Sequence, residues 1–129
     1  MSNIAPQKPG FNRGIWKNLE AQVRHWAETE EEIIMVTGAI LPKEITLTVG
    51  PGRIPVPEAF FKLVYDLTPP QKMIAFIIPN KSSKQKLQDF AITVDAVENA
   101  TSFDFFPHLE QSIQQMLESK IDVTQWQWR

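Results

Sequence analysis

The sequence contains no cysteine, no long apolar run and no excess of basic residues. The lack of cysteine excludes disulfide bridges, thiolate zinc sites and cysteine nucleophiles. Because no run of about 18 apolar residues occurs, we expect no membrane-spanning helix and no membrane partner. The net charge of −2 at pH 7 argues against a module that binds nucleic acid by charge alone. Any contact with nucleic acid must then come from lysines and arginines gathered at one site.

The residues that are present suit one packed domain with an α+β fold. The chain has 129 residues, of which 43% are hydrophobic, enough to form a core. Helical spacing of apolar residues runs from Asn12 to Ala27, with Asn12 as the N-cap. A C-terminal helix is predicted from Phe105 to Ser119. Four strands are predicted between the helices, at residues 33–38, 45–49, 59–66 and 73–78. Their short connections favour an antiparallel sheet.

Three other segments have simpler interpretations. The polar, basic residues 81–86 are predicted to form an exposed loop, and residues 92–98 fit either a strand end or a short helix. Three clustered phenylalanines are interpreted as core residues rather than a platform for stacking bases: Phe103, Phe105 and Phe106. The last four residues, 126–129, are too few to assign.

Polar residues border the apolar stripe of the first helix. Glu20 and Arg24 are four residues apart, so they lie within ~40° of each other around the helix axis, with Asn12 at its start. An amide oxygen, a carboxylate and a guanidinium in this order can hold a hydrated cation beside a phosphate. The same residues also fit an ordinary helix cap followed by an i,i+4 ion pair, and the spacing leaves both interpretations open.

No other pattern indicates catalysis. His25 and His108 lie in helical segments without partners at metal-ligand spacing, so we interpret both as surface or cap residues. The chain shows no Ser/His/Asp set and no Gly-rich phosphate loop.

Several motifs closely resemble the DNA/RNA non-specific endonucleases of the ββα-metal superfamily. The specific ones lie in the first thirty residues: Ser-Asn-Ile-Ala-Pro-Gln at 2–7, Phe-Asn-Arg-Gly-Ile-Trp at 11–16 and Leu-Glu-Ala-Gln-Val-Arg at 19–24. Weaker matches follow in the family's order, at residues 36–38, 54–57, 60–62, 76–80 and 101–107. The resemblance therefore covers most of the chain.

The resemblance implies roles for four residues. Asn12 corresponds to the asparagine that binds the Mg²⁺ ion directly, with Mn²⁺ as an alternative ion. Glu20 corresponds to the residue that holds metal-bound water, and Arg24 to the one that supports the phosphate. Asn3 corresponds to a second asparagine that shapes the site. The implied reaction is hydrolysis of phosphodiester bonds in DNA and RNA, with contacts to phosphate and sugar rather than to base edges.

The family also uses an Asp-Arg-Gly-His segment upstream of the Ser-Asn-Ile-Ala-Pro-Gln motif, and this sequence does not contain it. Its histidine activates the attacking water, and losing such a base costs about 10²–10⁴ in rate. We therefore expect residues 1–129 to be the C-terminal part of a nuclease domain and inactive alone. Apolar surface left open by the missing half predicts self-association or pairing with a separate N-terminal half.

The sequence leaves two alternatives to the interpretation as part of a nuclease domain. One is a non-catalytic relative that binds nucleic acid or protein. The other is a complete enzyme that uses His25 or His108 as its base. Family members are exported, periplasmic or mitochondrial, and the first residues of this chain carry no signal-peptide pattern that would give a localisation.

Overall fold

The computed structural model describes residues 7–41, 48–49 and 54–129, which form an α+β fold. Helices α1 (Pro9–Arg13) and α2 (Ile15–Thr29) come first. The elements that follow are β1 Ile33–Ile40, β2 Thr48–Val49, β3 Ile54–Pro55, β4 Ala59–Asp66, β5 Lys72–Pro79, β6 Ala91–Ile92, α3 Val94–Thr101 and α4 Gln111–Glu118. Within the described ranges, no helix is both long and apolar enough to cross a membrane.

Strands β1, β4, β5 and β6 form one antiparallel sheet in that order, while β2 and β3 pair separately. The predicted α+β class and antiparallel pairing are therefore confirmed. Strand β4 coincides with the predicted segment, and β1 and β5 extend slightly beyond theirs. Of the predicted strand at 45–49, only β2 lies within the described residues. Residues 92–98 are divided, because β6 ends at Ile92 and α3 begins at Val94.

Helices cover both faces of the sheet. Side chains alternate across a strand, so every second residue of β4 packs toward α2 and the intervening ones toward α3 and α4. The α2 side includes Phe60 and Val64, and the opposite side includes Phe61 and Leu63. With both faces covered, every residue of β4 is buried.

The helix boundaries differ from the prediction at both ends of the chain. The first helix begins at Pro9 and is interrupted at Gly14, so Asn12 lies inside α1 and is not an N-cap. Proline is favoured in a first helical turn, and Lys8 is held by a hydrogen bond from its backbone N–H to Asn80 Oδ1. Together these features start the helix early.

The C-terminal helix is shorter than predicted because α3 and a turn occupy the preceding residues. Ser102 ends α3 in the left-handed conformation, and α4 begins only at Gln111. Phe106 is buried and Phe105 is partly buried, as expected of core residues. Phe103 is 62% exposed, so its assignment to the core is wrong.

The last residues of the chain are held against α2. The Gln127 carbonyl accepts hydrogen bonds from Gln22 Nε2 at 2.9 Å and from Trp26 Nε1 at 2.7 Å. The Arg129 backbone N–H donates to Gln22 Oε1 at 2.9 Å. The Trp126 ring packs at 4.7 Å from the Trp26 ring. We call these contacts of residues 126–129 with Gln22 and Trp26 the tail clamp. The tail clamp holds α2, the helix that carries Glu20 and Arg24, in position.

Candidate functional site

Asn12 lies at the surface, on the helix that leads into α2. Its backbone N–H donates to the Lys8 carbonyl at 3.0 Å, which fixes the turn. Its side chain is exposed and makes no hydrogen bond to any described residue. An amide oxygen in this position is available to an ion or to water. Asn3 lies outside the described residues.

Gly14 separates α1 from α2 at a point where the backbone is crowded. A Cβ atom added at Gly14 would lie 2.8 Å from the Gly10 carbonyl oxygen, closer than two such atoms approach without a backbone shift. Glycine therefore allows α1 to turn tightly onto α2. This junction sets the position of Asn12 relative to the residues on α2.

Glu20 and Arg24 lie together on one face of α2, as their spacing predicts. Both are exposed, and they line a groove of about 350 Å³ between α2, β1 and β4. The groove has a mixed lining: Glu20, Val23, Arg24, Ala27, Ile33, Met35 and Lys62. Asn12 is not among these lining residues. The structure thus brings the predicted carboxylate and guanidinium together and places the amide on the adjoining helix.

Lys62 is a residue of this groove that its sequence position does not reveal. It lies in the middle of β4 and is only 3% exposed. Its Nζ atom is 3.5 Å from the Met35 sulfur and 5.1 Å from the centre of the Trp16 ring. Burial lowers the pKa of Lys62, and the nearby charge of Glu20 acts in the opposite direction. A positive charge buried next to Glu20 and Arg24 makes the groove attractive to anions.

The sequence signals for Lys62 are a charged residue within an otherwise apolar strand and its place in the weak family match at residues 60–62. Strand alternation places it on the same face as Phe60 and Val64, but identifying that face requires knowledge of where α2 packs. The position of Lys62 in the groove therefore depends on tertiary packing and cannot be read from the strand alone.

Neither histidine has the surroundings of a catalytic base. His25 is partly buried on α2, in a shallow depression of about 200 Å³ lined also by Glu28 and Arg129. His108 is exposed in the turn before α4. In the described part of the chain, neither histidine lines the groove of Glu20 and Lys62.

Comparison with known proteins identifies the family to which the chain belongs. The profile of the DNA/RNA non-specific endonuclease family matches residues 1–112. The chain belongs to this family.

Individual members of the DNA/RNA non-specific endonuclease family agree with this assignment. The chain is 30% identical over 135 residues to a nuclease of Nostoc sp. and 32% identical over 133 residues to the mitochondrial nuclease of Saccharomyces cerevisiae. A chain from a solved EndoG/EndoGI complex is similar in structure, with a TM-score of 0.72 and 28% identity, over 85% of this chain and 51% of that one.

The chain spans less than half the length of these curated relatives. The alignment covers 95% of this chain but 47% of the Nostoc protein, and 87% of this chain but 40% of the yeast protein.

Proposed function

We propose that residues 1–129 form the C-terminal part of a Mg²⁺-dependent endonuclease that hydrolyses DNA and RNA without sugar specificity. The observation that carries the proposal is the groove in which Glu20, Arg24 and Lys62 meet, on the helix that directly follows the one carrying Asn12. Family membership supplies the reaction class.

The residues fit a hard cation that keeps most of its waters. Asn12 offers a neutral oxygen for direct binding, and Glu20 offers a carboxylate that can accept hydrogen bonds from metal-bound water. When bound, Mg²⁺, or Mn²⁺ in its place, would stabilise the charge that develops on the phosphate and the leaving oxygen. We assign Asn3 a supporting role in shaping the site.

Two cationic side chains account for substrate binding. The Arg24 guanidinium can donate two parallel hydrogen bonds to a phosphate. Lys62 adds a positive charge behind it, in a groove from which water is partly excluded. Both contacts address the sugar-phosphate backbone, so they act on DNA and RNA alike and carry no base preference.

We assign the role of general base to no residue of the isolated chain. Neither His25 nor His108 lines the groove, and we propose that the base belongs to the N-terminal half of the domain. Without it the hydrolysis rate falls by about 10²–10⁴. The isolated chain should therefore show little or no cleavage.

The N-terminal half is also the partner that we propose for the exposed side of β1. Among the described strands, β1 is bonded only to β4, and its other edge is unpaired. Apolar side chains lie along it, with Met35 50% exposed beside the groove. A strand and a covering segment from the missing half would bury both features. In the absence of that half, the same edge favours self-association.

The proposal is tested with a chimera that places the N-terminal half of the Nostoc nuclease before this chain. Plasmid DNA and single-stranded RNA should both be cleaved in Mg²⁺, and EDTA should abolish cleavage. Asn12→Ala should remove activity, whereas Asn18→Ala, at an exposed asparagine of α2, should preserve it. The chain alone should cleave neither substrate.

A second measurement does not depend on the chimera. Titration of the isolated chain with Mn²⁺ should broaden the NMR signal of the Asn12 side-chain amide before the other amide signals of α1 and α2. A folded, active chimera that tolerates Asn12→Ala would contradict the metal assignment. A folded chimera without activity, together with no Mn²⁺ effect, would favour the non-catalytic binding relative.

A further inference from the structure

Three carboxylates converge where α3 meets the end of α4. Asp95 and Glu98 are three residues apart on α3, which places them on one face of that helix. Glu118 is the last residue of α4. One oxygen from each of the three lies within 4.8 Å of the others. This group, which we call the acidic triad, joins two helices that are distant in the sequence.

The Glu118 side chain gives the acidic triad its buried component. Glu118 is only 3% exposed, and its Oε2 atom has no hydrogen-bond partner. An unsatisfied buried carboxylate oxygen is costly, and a ligand that coordinates it would remove the cost. Asp95 and Glu98 are partly exposed, so an ion can reach the group and retain water.

The surroundings of the acidic triad are uniformly negative. Burial is the main cause that raises the pKa of Glu118 to about 8, and the neighbouring carboxyl groups of Glu98, Asp95 and Asp104 raise it further. The ion pairs within the described residues involve only Lys72, with Asp66 and Glu30. No basic side chain therefore neutralises the triad there.

We propose that Asp95, Glu98 and Glu118 bind a Ca²⁺ ion that ties α4 to α3. Ca²⁺ accepts six to eight oxygen ligands in flexible geometry at about 2.3–2.6 Å, so two oxygens on one ion are separated by at most about 5 Å. The three oxygens of the acidic triad lie within 4.8 Å of one another, so none is too far from the others to share one Ca²⁺ ion. Mg²⁺ demands near-octahedral geometry, keeps several waters and usually takes only one or two carboxylates, so a group of three carboxylates suits Ca²⁺ better.

The site is separate from the proposed nuclease centre. Val94 and Val97 of α3 and Leu117 of α4 pack in the core on one side of the sheet. The α2 residues pack in the core on the other side. An ion held by the acidic triad therefore has a structural role, as a link between the C-terminal helix and the sheet.

The test uses the isolated chain after treatment with a chelator. Calorimetric titration with CaCl₂ should give one site, and Ca²⁺ should raise the thermal unfolding temperature more than Mg²⁺ does. Glu118→Gln and Asp95→Asn should each weaken binding by at least about 10-fold. Glu110→Gln, at an exposed carboxylate just before α4, is the matched control and should bind as the parent does.

Three results would overturn the proposal. They are the absence of both binding heat and thermal shift, unchanged Ca²⁺ affinity in folded Glu118→Gln or Asp95→Asn, and loss of the Ca²⁺ effect in Asn12→Ala. Asp95 is partly exposed, so its variant keeps the test decisive if Glu118→Gln does not fold. Retention of Ca²⁺ binding in Asn12→Ala would support a site independent of the nuclease centre.

Discussion

At the scale of single residues, Lys62 is the clearest conflict between local structure and proposed function. A lysine in the central strand of a sheet must give up most of its hydration, and its contacts with Met35 and Trp16 replace little of it. Residues that lower stability in this way are typical of functional sites. The loss of stability is explained if the Lys62 ammonium group is needed beside Glu20 and Arg24 to bind phosphate.

We predict that Lys62→Met stabilises the isolated chain by about 1 kcal/mol, because the variant keeps the length of the side chain and removes a buried charge. Urea unfolding would measure the change. Lys17→Met, at an exposed position on α2, serves as the control and should alter stability by less than about 0.5 kcal/mol. A destabilised Lys62→Met protein would contradict this account.

The functional residues differ in how far the sequence reveals them. The position of Glu20 and Arg24 on one face of α2 follows from helical spacing alone, so it could be predicted before the groove was known. The roles of Asn12 and Asn3 came from the family resemblance. Lys62 and Glu118 could not be found in this way, because each acquires its environment from an element far away in the chain. Their significance lies in packing that no local pattern encodes.

At the scale of secondary-structure elements, the strands were easier to predict than the helices. Strand β4 is bounded by prolines and glutamate on one side and by a polar turn on the other, and its limits were predicted correctly. The break at Gly14 was missed because the apolar periodicity continues across it. The start of α4 was missed because Phe105 and Phe106 suit a helical stripe, although they pack from a turn.

The contact between β1 and β4 provides an element-scale prediction. Gly38 faces Phe61 across the two strands, and a Cβ atom at Gly38 would lie 2.3 Å from the end of the Phe61 ring. Gly38→Val should therefore destabilise the chain by about 1–3 kcal/mol, as measured by urea unfolding. Adding Phe61→Leu should recover part of the loss. If Gly38→Val alone leaves stability unchanged, the ring does not occupy this space.

The packing of α4 on α3 predicts a dependence of stability on pH. The pKa of Glu118 is raised from 4.5 to about 8, so the folded chain holds a proton that the unfolded chain releases. Between these values the folded state binds more protons, and stability must fall as the pH rises. Urea unfolding midpoints in EDTA should decrease from pH 5 to pH 8. Glu118→Gln should flatten this decrease, and an equally steep decrease in that variant would exclude Glu118 as its source.

At the scale of the whole molecule, the fold consists of a covered sheet with one open edge. Strand β6 is short and followed directly by α3, whereas β1 is eight residues long and unpaired on one side among the described residues. A long open edge is a site for strand addition. The sequence predicted unmatched surface in general, but its position on β1 depends on the strand order, which a single sequence does not determine.

We predict that the isolated chain self-associates and that a separately expressed N-terminal half of the Nostoc nuclease forms a one-to-one complex with it. Sedimentation velocity would measure both. Met35→Lys should weaken the two associations, because it places a charge in the edge that becomes buried. Met116→Lys, at a position 55% exposed on α4, should have no effect. A monodisperse monomer that does not bind the N-terminal half would contradict the prediction.

The tail clamp bears on where the folding unit ends. The match to the family profile ends at residue 112, yet Gln127 accepts hydrogen bonds from two side chains of α2. A fragment that ends with the profile match would leave Gln22 and Trp26 without their shared acceptor, the Gln127 carbonyl, and would uncover the Trp26 indole. A boundary placed at the end of the profile match would thus remove part of the support for the groove while leaving all its lining residues in place.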